Sequence, residues 1–151
     1  MDVADYFSLQ AIAMEASLQA GSAIMSVYGQ SDFGTELKDD RSPLTRADRR
    51  SDEVISCYLG PTAIPVISEE SPLPPWAERD TWKRCWIVDP LDGTREFVNR
   101  NGEFTVNIAL VEEGRPVLGV VYAPCTREIF FGGVKTGVFR MILSEDQVRN
   151  N

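Results

Sequence analysis

The sequence predicts an α+β fold, with an antiparallel sheet packed against two N-terminal helices. Apolar residues recur at helical spacing before Gly60 and alternate at strand spacing after Gly102. Short polar turns separate the later segments, so neighbouring strands can pair as hairpins.

From Ala4 to Tyr28, Leu9, Ile12, Ala13, Ala16, Ala20, Ala23, Ile24 and Val27 fall on one helical face, and Gly29 is a stop signal. Residues 30–44 are polar, with Gly34, Asp39, Asp40, Ser42 and Pro43, and read as a loop. Thr45 can cap a second helix, with Asp48 at the capping-box position. Val54, Ile55, Tyr58 and Leu59 give that helix an apolar side, and Gly60-Pro61 ends it. Strands follow at 63–68 and 84–88, separated by an irregular excursion marked by Pro72, Pro74 and Pro75. A short helix can start at Thr94. Phe104, Val106, Ile108 and Leu110 alternate with Thr105, Asn107 and Ala109, and Val117–Tyr122 returns as the hairpin partner after a turn at 112–115. Segments 128–131 and 137–142 read as two more strands, and 144–151 as a polar tail.

The 151 residues suffice for one domain with its own core. A net charge of −8 argues against a nucleic-acid groove or an anionic membrane surface. The absence of histidine excludes Ser-His and Cys-His nucleophile pairs, histidine zinc sites and histidine acid–base catalysis. Cys57, Cys85 and Cys125 lack paired spacing and read as buried or half-buried free thiols of a reducing, cytoplasmic compartment. No leader and no membrane-spanning apolar run is expected. Trp76, Trp82 and Trp86 read as core or loop anchors.

Two apolar strands run straight into acids: Ile64–Ile67 into Glu69-Glu70, and Trp86–Val88 into Asp89-Pro90-Leu91-Asp92-Gly93-Thr94. Side by side, they would gather carboxylates that repel one another unless protons or cations neutralise them. Hard divalent cations with oxygen ligands meet that need, and Mg²⁺ keeps positions open for water and phosphate. Asp89, Asp92 and the Leu91 carbonyl are candidate metal ligands. Glu69 and Glu70 would add a ligand and a water-orienting carboxylate. Gly93 and Thr94 could present backbone N–H groups to a phosphate. Asp48 could accept a proton through the Thr94 hydroxyl, and Lys38, Arg95 and Arg100 could neutralise substrate phosphates.

On Thr45-Arg46-Ala47-Asp48, Glu69-Glu70 and Asp89 to Thr94, the chain resembles the inositol monophosphatase superfamily of Mg²⁺-dependent, lithium-sensitive phosphatases. Segments 38–45, 91–97 and 100–110, with 119–124, resemble its CysQ-type 3'(2'),5'-bisphosphate nucleotidases. The resemblance implies the N-terminal half of that family's αβαβα sandwich, shared with fructose bisphosphatases. Residues 1–143 would be the metal and phosphate domain and 144–151 a tail, with the family's C-terminal domain and its Trp-Asp motif absent from this sequence. It implies Glu69, Asp89, Leu91 and Asp92 as Mg²⁺ ligands. Asp48, Thr94 and Glu70 become catalytic, and Gly93, Thr94, Lys38 and Arg95 bind substrate. The implied reaction converts adenosine 3',5'-bisphosphate to AMP and phosphate in sulfur assimilation, impaired here by the missing half. Alternatives are an inositol monophosphatase activity or a catalytically silent metal- or phosphate-binding fragment. The resemblance also implies a cytoplasmic protein able to associate peripherally with the inner membrane. Self-association through the face left open is a further expectation.

Overall fold

The computed structural model describes residues 3–38 and 43–149. Helix α1 spans Val3–Tyr28 and α2 spans Arg46–Leu59. Strands β3 (Val66–Ser68), β4 (Arg84–Asp92), β5 (Thr105–Glu112), β6 (Arg115–Ala123), β7 (Glu128–Gly133) and β8 (Gly137–Ile142) form one sheet in chain order. Strands β1 (Glu36–Leu37) and β2 (Pro43–Leu44) form a separate two-stranded ladder. Three short α-helices, α3 (Trp76–Arg79), α4 (Thr94–Val98) and α5 (Glu145–Arg149), and a 3-10 turn at Gly60–Thr62 complete the described residues.

Both long helices lie on one face of the sheet, α1 over β5, β6 and β7 and α2 over β4. The α1 stripe Ala13, Ala16, Ala20, Ile24 and Val27 is buried against Val106, Ile108, Leu110, Leu118, Val120 and Tyr122. Small residues let the helix sit close to the strands. A Cβ on Gly21 would stand 2.4 Å from the Tyr122 ring. Tyr6, almost fully buried, donates its hydroxyl to Glu112 at 2.9 Å and ties the start of α1 to the end of β5. Trp86 is fully buried, and its indole N–H donates to Thr62 Oγ at 3.1 Å.

Four expectations change. The sheet is mixed: β3 runs parallel to β4, while the other pairs are antiparallel. A parallel pair needs a crossover, and the proline-marked excursion with α3 supplies it. The 30–44 segment carries β1 and β2, whose two-residue strands are too short to show a period. Asp39, Asp40 and Ser42 lie outside the described residues. The polar tail contains α5, where Ser144 Oγ accepts from the Gln147 N–H at 3.3 Å and Val148 packs on the core. Cys57 is exposed rather than buried, whereas Cys85 and Cys125 are half-buried.

The turn between β5 and β6 places Glu113 and Gly114 at φ 49° and 72°. That two-residue left-handed step matches the twist of the flanking strands. No described helix is long and apolar enough to cross a membrane.

Replacing Gly21 by valine is expected to lower stability by about 1–3 kcal/mol through overpacking against Tyr122. Gly60→Ala, where a Cβ meets nothing within 4 Å, should change it by less than about 0.5 kcal/mol. Urea denaturation checks the pair, and equal losses would contradict the packing account.

Candidate active site

Because β3 and β4 are parallel and in register at Ser68 and Val88, their C-terminal ends finish together. The chain leaves β3 with the Glu69 N–H still donating to the Val88 carbonyl at 3.2 Å, so Glu69 stands beside Asp89.

Asp89 and Asp92 are three positions apart, which in a regular strand sends their side chains to opposite faces. The register prevents this. Asp89 pairs with Asn107 and Asp92 with Thr105, so β4 carries one extra residue between them. A bulge of this kind re-aims a side chain. Both aspartates therefore share the sheet face opposite the helices, while Val88, Pro90 and Leu91 stay buried. Ser51 of α2, fully buried, donates to the Pro90 carbonyl at 2.6 Å and holds the bulge from beneath.

Burial raises the pKa of Asp89 to about 7, helped by the charges of Glu69 and Asp92. A hydrogen bond with Glu69 acts in the same direction, and one with the Leu91 backbone opposes it. Asp89 Oδ1 is buried with no hydrogen-bond partner. Asp92 is exposed and accepts from Asn107 Nδ2 at 3.0 Å, while Thr105 Oγ donates to Asn107 Oδ1 at 3.1 Å. Glu69 and Glu70 share one cation: Lys38 Nζ lies 2.9 Å from Glu69 Oε1 and 2.7 Å from Glu70 Oε1. Burial pulls the Lys38 pKa down, but its hydrogen bonds to Glu70 and Glu69 outweigh that and hold it above the usual lysine range. Burial raises the Glu70 pKa even though Lys38 opposes it.

Asp48 is fully buried at the start of α2 and uses both oxygens. Its Oδ2 accepts from the Thr45 N–H and hydroxyl, both at 2.7 Å, while Thr45 Oγ accepts from the Ala47 N–H at 3.1 Å. Its Oδ1 accepts from Thr94 Oγ at 2.9 Å. The capping role and the reach toward Thr94 thus coexist on one carboxylate. Thr94 does not cap α4; that position belongs to Gly93, at φ 97°. A Cβ on Gly93 would stand 2.8 Å from the Glu103 carbonyl oxygen, so this tight turn requires glycine. Fully buried Phe97, packed on Tyr28, Phe33 and Phe104, anchors α4 behind it.

The structure thus places Glu69 beside Asp89, turns Asp92 to the same face, links Asp48 to Thr94, and places Lys38 on the glutamate pair. Among the described residues, no group of three or more acidic or thiol side chains stands ready to hold a metal ion. Arg95 is exposed. Arg100 is engaged within the chain instead: it donates to the Tyr28 carbonyl at 2.9 Å and to that of Gln30, and covers the Phe33 ring at 4.5 Å. Sequence reasoning missed Ser51, Asp52 and Asn107. Asp52 accepts from the Ser68 hydroxyl at the end of β3. The i, i+3, i+4 spacing of Asp48, Ser51 and Asp52 was the available signal.

The available donors are carboxylates and a carbonyl, the set that suits a hard cation rather than a thiolate-loving one. The orphaned Asp89 Oδ1 and the raised Asp89 pKa mark where positive charge is lacking. On both counts the residues fit Mg²⁺.

With this site and fold described, residues 5–143 match the profile of the inositol monophosphatase family, and the chain belongs to that family. It is 54% identical over 115 residues to the 3'(2'),5'-bisphosphate nucleotidase CysQ of Salmonella typhimurium, covering 74% of this chain and 46% of that protein. It is 38% identical over 135 residues to the Haemophilus influenzae protein of the same name, covering 87% and 48%. The crystal structure of CysQ from Bacteroides thetaiotaomicron superposes with a TM-score of 0.80 at 44% identity, over 95% of this chain and 54% of that one. Extragenic suppressor protein suhB of Bartonella henselae superposes at 0.79 with 28% identity, over 88% and 52%. The chain spans about half the length of the curated relatives it matches.

The raised Asp89 pKa has a stability consequence. The folded state keeps a proton that an unfolded aspartate, with a pKa near 3.9, releases. Stability of the metal-free protein should be greatest below about pH 4 as far as Asp89 is concerned, fall as pH rises, and level off above about 7. Asp89→Asn should flatten this slope in denaturation midpoints measured from pH 4 to 8. Identical slopes for both proteins would refute the assignment.

Proposed function

We propose that this chain carries the metal- and phosphate-binding half of a Mg²⁺-dependent phosphatase acting on 3'(2'),5'-bisphosphate nucleotides. Adenosine 3',5'-bisphosphate would give AMP and phosphate, in a cytoplasmic setting. The observation that carries this reading is the Asp48–Thr94 hydrogen bond of 2.9 Å, built beside the strand ends that bear Asp89 and Glu69.

In this reading Glu69, Asp89, the Leu91 carbonyl and Asp92 hold Mg²⁺. When bound, the ion neutralises these carboxylates and the charge on the substrate phosphate. The Gly93 and Thr94 backbone receives the scissile phosphate, with Arg95 next in sequence and Lys38 on the glutamate pair to balance its remaining charge. Thr94 Oγ takes a proton from the attacking water as its own proton passes to Asp48 Oδ1. The new P–O bond forms as the 3'-ester bond breaks, and the leaving oxygen is protonated from solvent. Glu70 orients the water. Positioning and electrostatics supply most of the rate, because no residue here need bond covalently to phosphorus.

The open sheet face, where Ile87 is 45% and Val121 and Phe130 each 41% exposed, supports self-association of the chain. Sedimentation velocity over a concentration series tests this. A species that remains monomeric throughout would end the idea.

The activity test is phosphate release from adenosine 3',5'-bisphosphate and from an inositol monophosphate with saturating Mg²⁺. Preference for the nucleotide supports the reading. Preference for the inositol ester would favour the inositol monophosphatase alternative, and no turnover with intact Mg²⁺ binding would leave a silent binding module. Calorimetry should show Asp89→Asn losing most Mg²⁺ affinity and Asp48→Asn retaining it. Turnover by Asp48→Asn should fall by about 10²–10⁴. Equal loss of Mg²⁺ binding in both variants would contradict the division of roles.

A further inference from the structure

We propose that Lys38 is a built-in counter-ion that occupies the glutamate pair in the metal-free protein and must leave it when a divalent cation enters. This rests on the reading of Glu69 as a metal ligand. Lys38 Nζ touches Glu69 Oε1 at 2.9 Å and Glu70 Oε1 at 2.7 Å. The Glu70 side of the contact is shielded, with the Lys38 side chain 21% and that of Glu70 8% exposed, while the Glu69 side chain, 53% exposed, faces solvent where an entering cation can reach it. Glu69 also stands beside Asp89, its N–H donating to the Val88 carbonyl at 3.2 Å. One ammonium thus neutralises the outer edge of the cluster, while Asp89 Oδ1, on its inner side, remains unpartnered.

A dication on Glu69 and an ammonium on the same carboxylate would repel at contact distance. The two cations therefore exclude one another, and metal entry is an exchange rather than a simple addition. Lysine suits the task. Its ammonium is a compact point charge on a flexible stem, without the fixed fork that locks arginine to a carboxylate. Once released, the same ammonium is free to meet an anionic phosphate, so metal loading and phosphate binding become coupled through one side chain.

The chain has three lysines, Lys38, Lys83 and Lys135, which makes the exchange measurable. Acetylation by an N-hydroxysuccinimide ester, followed residue by residue with mass spectrometry, should be slow at Lys38 without metal. Saturating Mg²⁺ should accelerate it about fivefold or more while leaving Lys83 and Lys135 unchanged. Calorimetric titration should show Lys38→Met binding Mg²⁺ on the order of tenfold more tightly than the unsubstituted chain, as expected on removing a charge-assisted pair. Lys83→Met should bind it unchanged. If Mg²⁺ binds but Lys38 acetylation does not respond, or if Lys38→Met binds Mg²⁺ equally or more weakly, the exchange is wrong and the metal reading survives. If neither chain binds Mg²⁺, the metal reading itself falls, and this inference with it.

Discussion

The mutual repulsion of carboxylates at the ends of β3 and β4 is the constraint on which the rest of the structure depends. Parallel pairing brings Glu69 beside Asp89, and the β4 bulge brings Asp92 to the same face. Like charges in a half-buried setting cannot all stay ionised without a partner. Two features offset that repulsion. Lys38 neutralises the glutamates, and Asp89 holds its proton to near neutral pH. Each leaves part of the cluster unbalanced, as the unpartnered Asp89 Oδ1 shows.

Holding such a cluster requires a rigid frame, and a single turn of α2 provides much of it. Asp48 reaches Thr94 at the start of α4, Ser51 reaches the Pro90 carbonyl in the bulge, and Asp52 accepts from Ser68 at the end of β3. Three polar residues of one helix thus fix three separate segments. Asp48 and Ser51 are fully buried, so loss of either partner would leave an unsatisfied polar group in the core. Asp48 also closes the capping box of its own helix. One carboxylate therefore sets where α2 begins and where the Thr94 hydroxyl points, which links helix stability to the geometry of the candidate site.

The two faces of the sheet divide the labour. The helix face carries the aliphatic core and the anchors Trp86, Phe97 and Phe104. The opposite face carries Asp89, Asp92 and Asn107 at one end and Ile87, Val121 and Phe130 along its surface. The aliphatic core lies on one side of β4 and the candidate metal ligands on the other, and the bulge lets the strand serve both.

The sequence by itself determined the long amphipathic helix, the Thr45–Asp48 cap, the hairpin of β5 and β6 and the acidic runs that end two strands. Each is a local or periodic property, written within a few residues of itself. It also showed which residue types would carry the chemistry, since the absence of histidine left carboxylates, hydroxyls and lysines. Only the tertiary structure decided that β3 and β4 run parallel, because a crossover direction has no signature in strand pattern. Only pairing with β5 revealed the bulge that turns Asp89 and Asp92 to one face. Ser51, Asp52 and Asn107 gained their roles from partners distant in sequence, and Arg100 lost its expected one to the Tyr28 and Gln30 carbonyls. Lys38 reaches Glu69 and Glu70 across some thirty residues of chain, a meeting that no local pattern encodes. Such long-range contacts follow from how the whole chain packs, and the energies that select them are summed over the entire core rather than stored in any one segment.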